Sequence, residues 1–579
     1  MERKWCKMTL SDTLTDWLRE SFRAAFPELG DAVADVRAVP SGKPEFGDYQ
    51  CNDAMALAKI LKRPPREIAR RAVEACPCAT CIERIAVDGP GFINLFVKHD
   101  WLAGNVAALV GDERAGVPDV GGGKTVVMDY GSPNITKPLH IGHLRSHNIG
   151  STLDRLYRFL GYRVIADNHL GDWGTQFGIT IMGYRHFGNE EAMRAAPLEE
   201  LERVYVKSYE RTKEDGEWLD QCRRELVKLQ AGDPENRALW QMFVNLSLSE
   251  LDRIYRRLGI SYDLVRGESH YNDKLAPKVA ELEAKGLARE SEGATVVFLE
   301  EEKLPPCIVR KKDGGFNYAT SDLATVASRI AEFAPDRIVY VTDERQQLHF
   351  RQVFAICRRL GVTTRLDHVW FGLMRLPEGA ISTREGNVIR LDSLLDKAEQ
   401  LALDLVRTSS PEMSAEQQQA VARAVGIGAV KYADLSQNPQ SLVTFTWEKA
   451  LALDGNSGPY LQYAYARIAS VHSKYRERFP AADLAAYPVR LTEPTERTLA
   501  LRLAQFPDVV CQAAETYRPN VLSDYLFGLA QSFSSFYQNV PFLKAEEGVR
   551  ESRVRLCTAV AGVLGKGLRL LGLETPERI

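Results

Sequence analysis

Two histidines three residues apart, His140 and His143, open a long amphipathic run, with Gly142 between them and Lys137 just upstream. At helical spacing the two imidazoles face one way. The glycine lets a ligand approach the backbone closely. A helix N-terminus also offers N–H groups and a positive dipole, and both favour phosphate. Lys137 adds a mobile cation. This set is suited to positioning a phosphorylated ligand and stabilising its charge, rather than to nucleophilic attack by a side chain. A satisfied core or capping pair is the plain alternative for two such histidines, so the surrounding elements must decide.

Those elements are legible. Lys124 to Tyr130 alternates and is rich in β-branched residues, which predicts a strand. Ile141, Leu144, Ile149, Leu153, Leu156 and Leu160 recur at helical spacing. Tyr162 to Asp167 follows as a second short strand. The loop with Gly131, Pro133 and Pro138 therefore sits at the carboxyl end of the first strand of a βαβ unit. In open α/β sheets that edge is where ligands bind.

The loop and its helix read SPNITKPLHIGHLRS over 132–146, followed by GDWGTQFG over 171–178. His140 to His143 resembles the HIGH signature of class I aminoacyl-tRNA synthetases, and the longer strings resemble the arginyl-tRNA synthetases in particular. The resemblance extends to FGDYQCNDAMALAKILKRPPREIA near the N-terminus, and to GNSGPYLQYAYARIASV and the closing helix near the C-terminus. It thins in the middle insertion and over 476–515.

Composition agrees with a multidomain globular chain. There are 579 residues, too many for one core, with 45% apolar and 26% charged residues. No window approaches the roughly 18 apolar residues that span a membrane, and the N-terminus lacks an apolar signal core. A cytoplasmic protein with no membrane and no DNA partner is expected. The net charge is −3, so a nucleic-acid partner must be met by local basic patches. The ten cysteines mostly stand singly, as suits a reducing compartment. Cys76, Cys78 and Cys81 cluster, but no second pair completes a zinc site, and no protein-held metal is expected.

The expected fold class is α/β: a Rossmann-type parallel-sheet catalytic domain, with an α+β N-terminal domain and an all-α C-terminal domain. The N-terminal domain is read over 1–118, with a helix from Leu10 to Phe26 capped by Ser11. It continues with two helices split at Pro64-Pro65 and a strand–turn–strand after Ile82. The catalytic domain is read over 119–405, with a mostly helical insertion at about 185–310. Its second half holds strands at 337–342 and 368–374 around a helix at 347–360. Residues 406–579 read as helix.

The resemblance implies ATP-dependent ligation of L-arginine to tRNA(Arg) through an arginyl-adenylate, with Mg2+ accompanying ATP, by a monomer. It implies that His140, His143, Gly142, Lys137, Ser382 and Arg384 serve ATP and the transfer step. It implies arginine contacts from Asp129, Ser132, Asn134, Tyr318, Asp322 and Gln346. Tyr318 and Asp322 are four apart and share a face if helical, and His349, three residues after Gln346, either lines the same pocket or packs within its helix. The tRNA contacts implied are Lys62, Arg63 and Arg66, within a basic cluster, and Tyr460 and Tyr537 in the helical domain that reads the anticodon. One motif departs from the family. Ala380, Ile381, Ser382 and Thr383 stand where the KMSK lysines would flank Met-Ser, and Arg384 follows them. A tRNA-binding protein without activity, or another HxGH adenylyl transferase, are the alternatives. The intact histidine loop and the chain length argue against them.

Overall fold

The computed structural model describes residues 8–135, 138–376 and 390–579. They divide into two compact units, one over Gly121–Ala452 and one joining Met1–Val120 to Leu453–Ile579.

The central unit is built on five parallel strands: β1 Thr125–Tyr130, β2 Arg163–Leu170, β3 Leu264–Gly267, β4 Arg337–Asp343 and β5 Arg365–Phe371. Their order is β5-β4-β1-β2-β3. β1 lies in the middle and is buried along its whole length, as a parallel strand covered on both faces must be. The order reverses at β1, so the loop leaving it opens into the crevice where such sheets bind ligands. That loop leads into α1, Ile141–Phe159. α2, Tyr318–Phe333, carries Leu323 and Val326 into a core with Val127, Ile338 and Phe350.

Two boundaries differ from expectation. β3 lies inside the segment expected to be a helical insertion. Its four residues, LVRG, are too short to carry a period, and only pairing with β2 defines them. The insertion is otherwise helical, ending in an antiparallel sheet of three strands over 288–310. The boundary expected at 405/406 falls inside α3, Leu391–Ser409. α3 and the following α4, Ala415–Leu435, belong to the central unit. The tie is polar and buried. Arg145 of α1 donates from Nε to Asp434 Oδ1 at 2.8 Å and from Nη1 to the carbonyls of Gly372 and Ser441. Asn148 donates to Asp434 Oδ2 at 3.1 Å. Such partners, hundreds of positions apart, leave no local pattern in sequence.

In the other unit, helix Leu10–Ala25 is capped by Thr9, not Ser11. Thr9 Oγ1 accepts from the Asp12 amide at 3.1 Å, and Asp12 returns to the Thr9 amide. Helices Ala54–Leu61 and Pro65–Ala75 are split at the two prolines. A four-stranded antiparallel sheet includes Ile82–Asp88 and Phe92–Val97. This sheet is tied to the C-terminal helices. Asp48 takes a two-pronged bond from Arg497 at 2.9 and 2.7 Å. Tyr49 donates to Asp508 at 3.3 Å. Among the described residues no helix is long and apolar enough to cross a membrane.

Candidate active site

At the start of α1, His140 is the cap residue. Its Nδ1 accepts the Gly142 amide at 3.0 Å, and His143 Nδ1 accepts the His140 amide at 3.1 Å. The ring centroids are 3.9 Å apart. Two expectations change here. The helix-end amides of His140 and Gly142 are engaged by the imidazoles. A Cβ on Gly142 would meet His140 Cε1 at 2.8 Å, so the glycine makes room for the His140 ring. Because each Nδ1 accepts, each neutral ring carries its proton on Nε2. The two imidazoles thus stack at the positive end of the helix. Beyond them, His147 Nδ1 lies 2.8 Å from the His143 carbonyl, and burial pushes this imidazole down to about 4, so it stays neutral. The backbone of His140 forms an antiparallel bridge with Arg390. Lys137, Ser382 and Arg384, with the tetrad Ala380–Thr383, lie outside the described residues.

Between β1 and α1 the loop is held tightly. Ser132 sits at φ +46°, a left-handed conformation uncommon for a side-chain-bearing residue. Its amide donates to Asn168 Oδ1 at 3.1 Å and its hydroxyl to Asp129 Oδ1 at 2.8 Å. Asn134 is exposed, and its backbone bridges to Gly171. A Cβ at Gly171 would meet Asn134 Oδ1 at 2.1 Å, so a side chain there would displace the Asn134 amide from its present position. Asp129 itself is buried. Its other oxygen accepts from Arg329 Nη2 at 2.7 Å, and the same guanidinium bonds Asp167 Oδ2 at 2.8 Å.

The remaining carboxylates face the crevice. Tyr318 begins α2 and is 66% exposed. Asp322, one turn on, lies 2.5 Å from His349 Nε2. Gln346 ends a short turn just before His349 and is exposed. Packed against α2 is the turn after β3, Glu268–Tyr271. Burial, then the charges of Asp322 and Asp172, push the Glu268 carboxyl up to about 8. Asp172 fixes that turn by accepting from the Ser269 amide at 2.9 Å. A Cβ on Gly267 would land 2.0 Å from Asp172 Cγ. The site thus sets the two imidazoles at the start of α1, and groups Tyr318, Asp322 and Glu268 close enough for their charges to interact. Sequence reasoning overlooked Glu268, because the strand it follows has no periodic signal, and Arg329, because its partners lie on other elements. The signal for Arg329 was a lone arginine on an apolar helix, seven residues after Asp322 and so on its face.

Known proteins fit this arrangement. Residues 105–447 match the family described as tRNA synthetases class I (R), catalytic domain. Residues 12–97 match the arginyl tRNA synthetase N terminal domain, and 461–579 the DALR anticodon binding domain. The arginine–tRNA ligase of Fusobacterium nucleatum is 43% identical, over 97% of this chain and 98% of that one. That of Laribacter hongkongensis is 42% identical, over 98% and 100%. The chain belongs to the arginyl-tRNA synthetases. The crystal structure of the Plasmodium falciparum arginyl-tRNA synthetase superposes with a TM-score of 0.85 at 25% identity, covering 99% of this chain and 100% of that one. The Thermus thermophilus arginyl-tRNA synthetase superposes with a TM-score of 0.81, also at 25% identity, over 98% and 100%.

The residues expected to meet tRNA lie in the unit that joins the two ends of the chain. Lys62, Arg63 and Arg66 are exposed, and Arg63 pairs with Glu67 at 2.9 Å. Tyr460 and Tyr537 are half-buried. The Tyr460 hydroxyl lies 3.3 Å from Ser534 Oγ. Tyr537 packs between Phe533 and Phe542, with the Arg467 guanidinium 5.2 Å from its ring centre. Beside Tyr537 a groove of about 520 Å³ is lined by Lys474, Arg478, Lys544, Gln538 and Asn539.

For Mg2+ the donor set is informative. Among the described residues no cluster of three or more His, Cys, Asp or Glu could hold a metal alone. Imidazoles at a helix start suit phosphate oxygens better than a hard cation.

Proposed function

We propose that this enzyme activates L-arginine with ATP and transfers it to tRNA(Arg), and that the side chains described above divide that work. The observation carrying the reading is the pairing of two sites at one sheet edge. The histidine turn is built to donate to phosphate, and the cleft with Asp322 and Glu268 is built to accept from a guanidinium. A planar cation with five N–H donors matches two carboxylates and a tyrosine hydroxyl better than a lysine ammonium does.

In the first step the arginine carboxylate attacks the α-phosphorus of ATP and pyrophosphate leaves. The Nε2–H groups of His140 and His143 donate to phosphate oxygens as charge develops. No side chain is needed as nucleophile, so the barrier falls by alignment and preorganised donors. Mg2+ supplies neutralisation of phosphate charge. Lys137 and Arg384 take the role of the absent loop lysines, supported by the Arg390–His140 bridge that follows Arg384 in the chain. Asn134 and Gln346 receive the α-amino and carboxylate ends of arginine. In the second step the terminal tRNA hydroxyl attacks the mixed anhydride.

For tRNA, Lys62, Arg63 and Arg66 contact phosphates, while Tyr460, Tyr537 and the neighbouring cationic groove receive unpaired bases. Aromatic faces with flanking cations are what single-stranded RNA requires. The enzyme works as a monomer in the cytoplasm. ATP–pyrophosphate exchange, run across the amino acids with and without tRNA, tests the reading. Exchange driven by arginine alone among them is the expected result, and no exchange with any of them refutes it.

A further inference from the structure

Three residues stand in lateral register across the centre of the sheet: Tyr340 on β4, Asp129 on β1 and Asp167 on β2. Residues in register on parallel strands project to the same face. Two aspartates therefore stand side by side in the interior, 4% and 1% exposed. Unpaired, one would have to take up a proton, because two close carboxylates cannot both ionise away from water.

Arg329 answers this. It lies two helical turns beyond Asp322 on the same face of α2 and is fully buried. Nη2 bonds Asp129 at 2.7 Å and Asp167 at 2.8 Å, and Nε bonds Asp167 at 3.1 Å. Its guanidinium carbon lies 5.4 Å from the Tyr340 ring centre. The neighbouring carboxylates hold it charged despite burial. One oxygen of Asp129 is thus spent on Arg329. The other accepts from the Ser132 hydroxyl, and Ser132 is the left-handed residue at the head of the loop that reaches His140.

We propose that Arg329 is a positioning residue for arginine activation: it clamps Asp129 so that Asp129 holds Ser132 and the strained turn below the substrate. The carboxylates left to meet the substrate guanidinium are then Asp322 and Glu268. Arg329 itself works from beneath the pocket, through Asp129 and Ser132, and touches no substrate. Lysine at 329 would keep the charge but present a single point in place of a fork. This inference rests on the arginine-activating reading above.

The test uses the full-length enzyme with Arg329→Lys, Ser132→Ala and the double variant, in arginine-dependent, tRNA-supported ATP–pyrophosphate exchange. Arg329→Lys is expected to raise the KM for arginine about tenfold or more, with the KM for ATP within about twofold. Ser132→Ala is expected to raise the arginine KM as well, but to add nothing once Arg329→Lys is present, as for two links of one chain. An unchanged arginine KM in Arg329→Lys, equal losses for both substrates, or multiplying effects in the double variant each overturn the proposal. If Arg329→Lys does not fold, Ser132→Ala carries the test by hydrogen–deuterium exchange. Faster exchange over 131–135 together with a raised arginine KM supports the clamp, and no change in either refutes it. Wild-type enzyme without arginine-dependent exchange would remove the underlying reading and the proposal together, whereas a defect confined to the variants concerns the clamp alone.

Discussion

Arg145 Nε lies 2.8 Å from Asp434 Oδ1, with the two side chains 1% and 0% exposed. The pair fastens the histidine-bearing helix α1 to α4. Removing one member of such a pair leaves a charge buried without its partner, which typically costs about 3–5 kcal/mol. Asp434→Ala is therefore expected to lower stability by that order in chemical denaturation followed by tryptophan fluorescence. A loss under about 1 kcal/mol would mean that the carbonyls of Gly372 and Ser441 satisfy Arg145 unaided.

In the proposed reading Asp322 meets the substrate guanidinium, although it also lies 2.5 Å from His349 Nε2. Asp322→Asn keeps the shape and removes the charge. A lost charged hydrogen bond of this type is worth about 3 kcal/mol, so arginine binding should weaken by roughly two orders of magnitude while ATP binding holds. Isothermal titration with each ligand separates the two. Normal arginine affinity would show that Asp322 serves His349 instead.

The Glu268 carboxyl, raised from 4.5 to about 8, gives arginine binding a pH dependence. Below about pH 8 the free enzyme holds a proton there, and a bound guanidinium requires the carboxylate, so binding releases that proton. Arginine affinity should climb from about pH 6.5 to 8 and then level off. The folded chain also binds more protons than the unfolded one between pH 4.5 and about 8. This group's stabilising contribution is full below that window and is lost as pH rises through it. Glu268→Gln should flatten the binding profile. Persistence of the slope in that variant would assign it to another group.

Pyrophosphate departure needs a cation to meet its charge. Lys137→Ala and Arg384→Ala are each expected to slow adenylate formation by ~10²-fold, with little change in arginine affinity, as for contacts that strengthen in the transition state. Rapid-quench kinetics measures the step directly. A Lys137→Ala enzyme at near-normal speed would leave Arg384 as the main cation.

Tyr537 lies at the rim of the cationic groove. Stacking of one base on an aromatic ring is worth about 1–3 kcal/mol, so Tyr537→Ala should raise the KM for tRNA by roughly 5- to 150-fold. Its contacts with Phe533 and Phe542 set the competing outcome, a large fall in melting temperature with the KM for tRNA unchanged.

The parts of the fold visible in sequence are those with a local period. β1 and α1 show it in the alternation of 124–130 and in the apolar spacing from Ile141. The split helices after Asp53 show it through their prolines. β3 is too short to show any. The site divides in the same way. His140 and His143 could be picked out because their spacing is helical. That Gly142 accommodates the His140 ring depends on a cap geometry no spacing encodes. Asp129 could be located at the strand end, but its pairing with Arg329 depends on lateral strand order 200 positions away. Glu268 reaches the cleft only because β3 joins β2, so its role was hidden with its strand.

The bond from Arg497 to Asp48 spans 449 positions. Closing a loop of that length costs on the order of 5 kcal/mol in chain entropy. During synthesis at about 5–20 residues per second, Asp48 leaves the ribosome on the order of a minute before Arg497 exists. Through that interval the N-terminal sheet is without the helices it packs on, while the parallel-sheet unit, which ends at Ala452, is completed before Arg497 is made. The order of synthesis therefore favours a middle that folds first and two ends that fold together last. It also makes the N-terminal segment the part of a nascent chain most exposed to chaperones and proteases.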